Sequence, residues 1–176
     1  MPGGQEIAGS NPVSPKFFIL KTLFDDLPVQ AMLFADGGSR GNPGPAASGA
    51  VLLTPDGTVI REVGRFLGVA TNNVAEWNAL CFGLEAAAEM ELRRIAVRLD
   101  SELVVKQLTG EYRVKHADLQ PLHARAKAIL RRFEHVDIRH VPRKQNALAD
   151  KLVNHVLDQE ADYDGYGDQE VLSEPG

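Results

Sequence analysis

Four carboxylates stand where chemistry could be done. Asp36 and Asp100 each end a short apolar run, residues 31–35 and 95–99, while Glu76 and Asp150 each fall where a helical pattern begins. Two such runs lying side by side in one sheet would bring Asp36 and Asp100 together at strand ends, where ligand sites of open α/β sheets are found. A helix start favours an ionised carboxylate. Acids that converge repel one another, so a cluster persists at neutral pH only with raised pKa values or with divalent cations among them. Oxygen-only donors select a hard ion, Mg²⁺ or Mn²⁺. Any one of these acids alone reads more simply as a turn former, a helix cap or a solvated residue. Their combination points to a metal-dependent centre.

The elements that must position them follow from periodicity. Residues 31–35 read as a buried strand stopping at Asp36, and the following Gly37-Gly38-Ser39-Arg40-Gly41-Asn42-Pro43-Gly44-Pro45 as loop chemistry. Residues 48–53 and 58–67, joined by Pro55-Asp56-Gly57, predict two further strands and hence an antiparallel meander. From residue 73 to 92 the pattern is helical, with Asn72 or Asn73 as the expected N-cap. Residues 95–99 form a second buried strand before Asp100, Ser101 caps a helix through Leu108, and another amphipathic helix covers 119–133. Residues 136–141 are the last expected strand and 147–157 the last helix. The order βββαβααβα implies an α/β layered domain with a mixed sheet.

The chain has 176 residues, 44% hydrophobic and 24% charged, near the average for globular proteins and enough for a core without staples. Cys81 is the only cysteine, which excludes an internal disulfide and a CxxC site and fits a reducing, cytoplasmic setting. No apolar run approaches the roughly 18 residues of a membrane span. Phe17-Phe18-Ile19-Leu20, bracketed by Lys16 and Lys21, reads as neither a span nor a secretion-signal core. The net charge of −5 hides an uneven distribution, with seven acids and no Lys or Arg from Asp158 onward. Residues 31–157 carry 17 basic and 14 acidic side chains, so a polyanion can bind that surface once the four acids hold metal. Three regions are expected: a partly flexible N-terminal extension over 1–30, a catalytic domain over 31–157, and an acidic disordered tail over 158–176.

Four motifs make the chain recognisable: Phe34-Ala35-Asp36-Gly37-Gly38-Ser39-Arg40-Gly41-Asn42-Pro43-Gly44-Pro45-Ala46, Thr71-Asn72-Asn73-Val74-Ala75-Glu76, Asp100-Ser101, and Pro142-Arg143-x-x-Asn146-Ala147-x-Ala149-Asp150. In this order, each carrying an acid, they resemble ribonuclease H type 1 over residues 31–157. The resemblance implies a five-stranded mixed sheet flanked by helices. It also implies an endonuclease that hydrolyses the RNA strand of RNA/DNA hybrids, leaving 5′-phosphate and 3′-hydroxyl ends. Asp36, Glu76, Asp100 and Asp150 would be its catalytic, metal-binding carboxylates, holding two Mg²⁺ ions with Mn²⁺ as a substitute. One ion would activate water and the other stabilise the leaving 3′-oxygen. The hybrid would be read by shape and 2′-hydroxyls. Gly37, Gly38, Ser39 and Arg40, with Ser101 and Glu102, are then expected near the RNA strand, and Asn72 and Asn73 in the minor groove. Thr71 is either part of a DNA-phosphate pocket or a plain cap. No membrane and no obligatory protein partner is implied.

Two departures stand out. Only residues 110–118, with Arg113, Lys115 and His116, link the two middle helices, so the basic protrusion of many members is lacking. The mobile histidine that many members place before the last acid has His140 as its counterpart, yet the alternation over 136–141 makes His140 a strand residue rather than a catalytic assistant. Trp77 reads as packing rather than as a base-stacking platform. The alternative to the enzyme is a non-catalytic hybrid-binding module on the same fold, and the presence of all four acids favours the enzyme.

Overall fold

Alternation along the first strand sets the layers of the molecule. In the computed structural model, which describes residues 27–167, Ala31, Leu33 and Ala35 of β1 (Ala31–Ser39) are buried in one apolar cluster while Phe34 packs against a second. Strand β1 pairs antiparallel with β2 (Gly44–Leu53), which pairs antiparallel with β3 (Val59–Ala70). On its other side β1 pairs in parallel with β4 (Arg94–Leu99), and β4 in parallel with β5 (His135–His140). The sheet order is β5-β4-β1-β2-β3-β6, the last strand being β6 (Tyr163–Tyr166).

Helix α1 (Asn72–Glu89) lays Trp77, Leu80 and Leu84, all fully buried, onto the first cluster together with Leu33, Leu52, Ile95 and Val97. The short α2 (Glu102–Leu108) and α3 (Gln120–Leu130) add Val104, Leu108, Ala126 and Ile129 to it. Helix α4 (Ala147–Gln159) covers the opposite face, where Leu152, Val153, Val156 and Leu157 meet Ala47, Val51 and Leu53. Trp77 is a packing residue, as expected, its ring edge-on to His123 at 5.5 Å. No helix among the described residues is long and apolar enough to cross a membrane.

The sheet has six strands where five were expected, and the sixth lies in the segment expected to be a disordered acidic tail. Strand β6 pairs antiparallel with β3, Glu62 opposite Gly165 and Gly64 opposite Tyr163. Its acids act as anchors. Asp164 receives Arg61 and Arg65 at 3.0 Å each, and Asp162 Oδ1 accepts the Phe66 backbone N–H at 2.8 Å. Although burial pulls it upward, hydrogen bonds from Arg65 and Arg61 hold the Asp164 carboxyl below the ordinary carboxylate range. Arg61, 8% exposed, also lies 4.0 Å over the Tyr166 ring. A four-residue strand whose partner is about a hundred positions away leaves little local signature, and its acidic composition masks the rest. Expectations for residues 1–26 and 168–176 lie outside the described residues.

Removing Asp164 takes the carboxylate away from the buried Arg61 guanidinium, and leaving a buried donor unsatisfied costs about 1–3 kcal/mol. Asp164→Ala is therefore expected to lower unfolding free energy by that amount in a urea titration and to expose the segment after α4 to protease. An unchanged midpoint would show that Asp164 does not anchor β6.

Candidate active site and metal centre

The site begins with a strand longer than the sequence suggested. Strand β1 does not stop at Asp36 but continues to Ser39, with Asp36 opposite Gly49 and Gly37 opposite Ser48, so that the expected loop shrinks to residues 40–43. Gly37 is a strand residue because of what lies over it. A Cβ there would sit 2.2 Å from the Ala75 carbonyl carbon and 2.3 Å from the Glu76 nitrogen. The first turn of α1 thus rests on the strand backbone, fixed further by Ser48, whose buried hydroxyl donates to the Ala75 carbonyl at 2.6 Å. This contact carries Glu76 to the level of Asp36. The α1 N-cap is Thr71, not Asn72 or Asn73: its Oγ1 accepts the Val74 N–H at 3.2 Å.

Asp100 follows β4 directly, and the parallel pairing of β4 with β1 sets it beside Asp36. Ser101 caps α2, its Oγ accepting the Val104 N–H at 3.3 Å, and it also hydrogen-bonds the Glu76 carboxylate. Asp150 arrives from the opposite face in the first turn of α4. Asn146, 1% exposed, donates from Nδ2 to the Ala35 carbonyl at 2.9 Å and so pins the start of α4 to β1. A Cβ on Gly49 would lie 2.9 Å from the Ala149 carbonyl oxygen, a second place where helix and strand backbones touch.

Carboxylate oxygens of Asp36, Glu76 and Asp100 all come within 4.8 Å of one another. Asp150 stands outside that triad but lines the same cavity, of about 450 Å³, with Arg143 3.6 Å from its Oδ1. Burial, then the charges of Asp100, Asp150 and Glu76, push Asp36 from 3.8 up to about 7, against a backbone hydrogen bond from Gly37. Burial likewise pushes Glu76 up to about 7, with Asp100 adding to the effect and the Ser101 hydrogen bond opposing it. Three half-buried, mutually repelling oxygen donors with no cation among their neighbours in the triad fit a hard divalent ion.

The expected substrate residues are distributed around this cavity. Gly37, Gly38, Ser39, Arg40 and Asn72 line it. Asn72 Oδ1 accepts the Ser39 N–H at 2.8 Å and the Asn72 backbone N–H donates to Asn42 Oδ1 at 3.0 Å, whereas Asn73 is exposed. Glu102 is exposed and held by Lys106 at 3.0 Å, which lowers its pKa. His140 is the exposed last residue of β5, opposite Leu99 and outside the lining. Sequence reasoning missed the anchoring roles of Ser48 and Asn146 and the part played by Asp158, whose Oδ1 accepts from Arg40 at 2.6 Å. Asn146 stood within a quoted motif, but a buried side chain bonded to a strand about a hundred residues away has no local signal.

A reverse transcriptase-like family model matches residues 34–156. Ribonuclease HI of Halobacterium salinarum is 49% identical over 125 residues, 71% of this chain and 63% of that protein. The crystal structure of RNase H1 from that halophilic archaeon, 47% identical, superposes with a TM-score of 0.71 over 73% of this chain and 98% of the other. The bifunctional protein Rv2228c of Mycobacterium tuberculosis is 45% identical over 131 residues, 74% of this chain. The match spans 36% of that mycobacterial relative's length. LC11-RNase H1, solved in complex with an RNA/DNA hybrid, is 38% identical with a TM-score of 0.70, over 74% of this chain and 98% of that one. Fold and site together define a reverse transcriptase-like domain. The chain belongs to the ribonuclease H type 1 family.

Two outcomes follow from this geometry. Gly37→Ala should lose stability at or beyond the upper end of the roughly 1–3 kcal/mol usual for overpacking, because the obstacle is helix backbone. Mg²⁺ should raise the melting temperature of the wild type, and the variant should lose that rise, as Glu76 is displaced. A scan with and without Mg²⁺ reads both, and a wild-type Mg²⁺ response in the variant would refute the clamp. The second outcome concerns pH. The folded state holds the Asp36 proton up to about 7, whereas the unfolded chain releases it near 4, so stability in chelator falls as pH rises between those values. Asp36→Asn removes that loss and should raise the melting temperature in EDTA more at about pH 8 than at about pH 5. Equal shifts at both would show that Asp36 is not under repulsion.

Proposed function

We propose that this chain is an endonuclease that hydrolyses the RNA strand of RNA/DNA hybrids, leaving 5′-phosphate and 3′-hydroxyl ends. The observation that carries the reading is the convergence of Asp36, Glu76 and Asp100 within 4.8 Å, with Asp150 on the same cavity. These four residues would hold two divalent ions, Mg²⁺ or Mn²⁺, whose chemistry when bound is to lower the pKa of water and to stabilise charge on the leaving oxygen. The protein's own part is electrostatic and positional. With pKa values near 7, Asp36 and Glu76 are only partly ionised at neutral pH, and a bound cation would favour their ionised forms. The cation site is therefore also a proton-release site.

The substrate would lie along residues that line the cavity or flank those that do. Asn72, its Oδ1 occupied by the Ser39 N–H, keeps its amide Nδ2 for a groove contact, and the exposed Asn73 stands beside it. Gly37, Gly38, Ser39 and Arg40 from β1 and its loop, and Ser101 with Glu102 at the start of α2, would approach the RNA strand. Thr71 caps α1 through Oγ1, and a role in a DNA-phosphate pocket would share that hydroxyl. We assign His140 no chemical step. Residues 31–157 would form the catalytic domain, acting in the cytoplasm, where the buried thiol of Cys81 remains reduced.

A labelled RNA/DNA hybrid with Mg²⁺, run beside duplex DNA and duplex RNA, tests the reading. Wild-type protein should cut the hybrid's RNA strand. Asp36→Asn should abolish cleavage while hybrid binding in Ca²⁺ is retained or strengthened, because a repulsive carboxylate is lost. His140→Ala should reduce turnover far less. Binding by wild-type protein without cleavage would leave the hybrid-binding module as the function. Cleavage by Asp36→Asn would remove the carboxylate assignment.

A further inference from the structure

An ion pair crosses from the β1–β2 loop to the end of α4 beside the candidate active site. Arg40 lines the cavity, and its Nη2 lies 2.6 Å from Asp158 Oδ1 on the last turn of α4. Asp150, Asn154 and Asp158 are spaced four apart on that helix. At about 1.5 Å rise per residue Asp158 stands roughly 12 Å along the axis from Asp150. Asn154 and Leu157 line the cavity between them.

The loop that carries Arg40 is anchored while the guanidinium is accessible. Its backbone N–H donates to the Pro45 carbonyl at 2.8 Å, and the neighbouring Ser39 is held by Asn72 at 2.8 Å and by the Ala70 carbonyl at 2.9 Å. The side chains of Arg40 and Asp158 are 50% and 60% exposed. A pair so exposed is weak and opens readily to a competing anion. A phosphate is such an anion, since guanidinium binds it through two parallel N–H donors. The other acids of this run in contact with the sheet face elsewhere, Asp162 on Phe66 and Asp164 on Arg61 and Arg65.

We propose that Asp158 sets the affinity of this site for polyanionic substrate by occupying Arg40, so that a backbone phosphate of the entering strand must displace the Asp158 carboxylate to reach the guanidinium. The inference deepens, and rests on, the hybrid-cleaving reading. Arg40 then acts as a cation whose contribution is withheld until a substrate phosphate arrives. Binding becomes an exchange of one anion for another rather than the addition of a new ion pair.

The exchange leaves a signature in salt dependence. Each phosphate neutralised by a cation contributes about 0.9 to the slope of log affinity against log salt. Asp158→Asn frees Arg40 in the unbound protein and should tighten binding of a labelled RNA/DNA hybrid in Ca²⁺. Its advantage over wild type should be about threefold greater at about 50 mM KCl than at about 200 mM. Asp158→Glu should keep the wild-type slope, and Arg40→Gln should leave it close to wild type, because the exchange gives Arg40 no net share in it. In the Arg40→Gln background, Asp158→Asn should add nothing. Melting temperatures of all variants show whether the fold is retained. A wild-type slope in Asp158→Asn, or a gain that persists without Arg40, overturns the proposal while leaving the function intact, provided wild-type protein binds and cuts the hybrid. Wild-type protein that neither binds nor cuts it overturns both.

Discussion

The arrangement depends on two places where helix backbone touches strand backbone. At Gly37 the first turn of α1 lies on β1, and at Gly49 the first turn of α4 lies on β2, on the other side of the sheet. A side chain at either position would collide with main-chain atoms, which cannot rotate away as a side chain does. Buried hydrogen bonds secure both contacts, Ser48 to the Ala75 carbonyl and Asn146 to the Ala35 carbonyl. The two helices therefore deliver Glu76 and Asp150 from opposite faces to a strand that already carries Asp36. With Asp100 coming from the neighbouring parallel strand, four separate elements meet at one cavity.

That convergence works against folding in the absence of a cation. Burial and mutual repulsion hold Asp36 and Glu76 near 7, so at neutral pH ionising them costs the folded state free energy that the unfolded chain does not lose. The compensation comes from elsewhere, chiefly from the apolar cluster under α1, where Trp77, Leu80, Leu84, Leu33 and Ile95 are fully buried. A divalent ion reverses the sign of the local electrostatics. The same acids that weaken the empty fold then hold it together.

Most of this was legible because its signals are local or repetitive. The acids fell at the ends of apolar runs and at helix starts, and the structure brings three together and a fourth to the same cavity. The mixed sheet followed from connection lengths, short between β1, β2 and β3 and helical before β4. What escaped was set by distant partners. Glycines 37 and 38 read as loop because a strand glycine under a helix looks like any other glycine in the sequence. Thr71 displaced the two asparagines as cap because its own Oγ1 reaches Val74, while Asn72 Oδ1 is taken by the Ser39 N–H. Strand β6 was hidden by acids whose partners, Arg61 and Arg65, lie about a hundred residues earlier.

The acidic run also changes how net charge should be interpreted. A chain at −5 appears unsuited to a polyanion, yet charges act through position and over roughly a Debye length of about 8–10 Å at physiological salt. Asp164 neutralises Arg61 and Arg65 on β3, at the far edge of the sheet from β5. The cations of the α2–α3 link, of α3 and of its C-cap, among them Arg113, Lys115, Lys127 and Arg131, belong instead to the α1 side of the sheet. Asp162 and Asp164 thus spend their charge on β3 rather than on those cations, and the field that a phosphate backbone would meet there is more positive than the total suggests. Asp158 is different because it reaches a residue of the cavity itself, and there a single carboxylate weighs more than the overall sum.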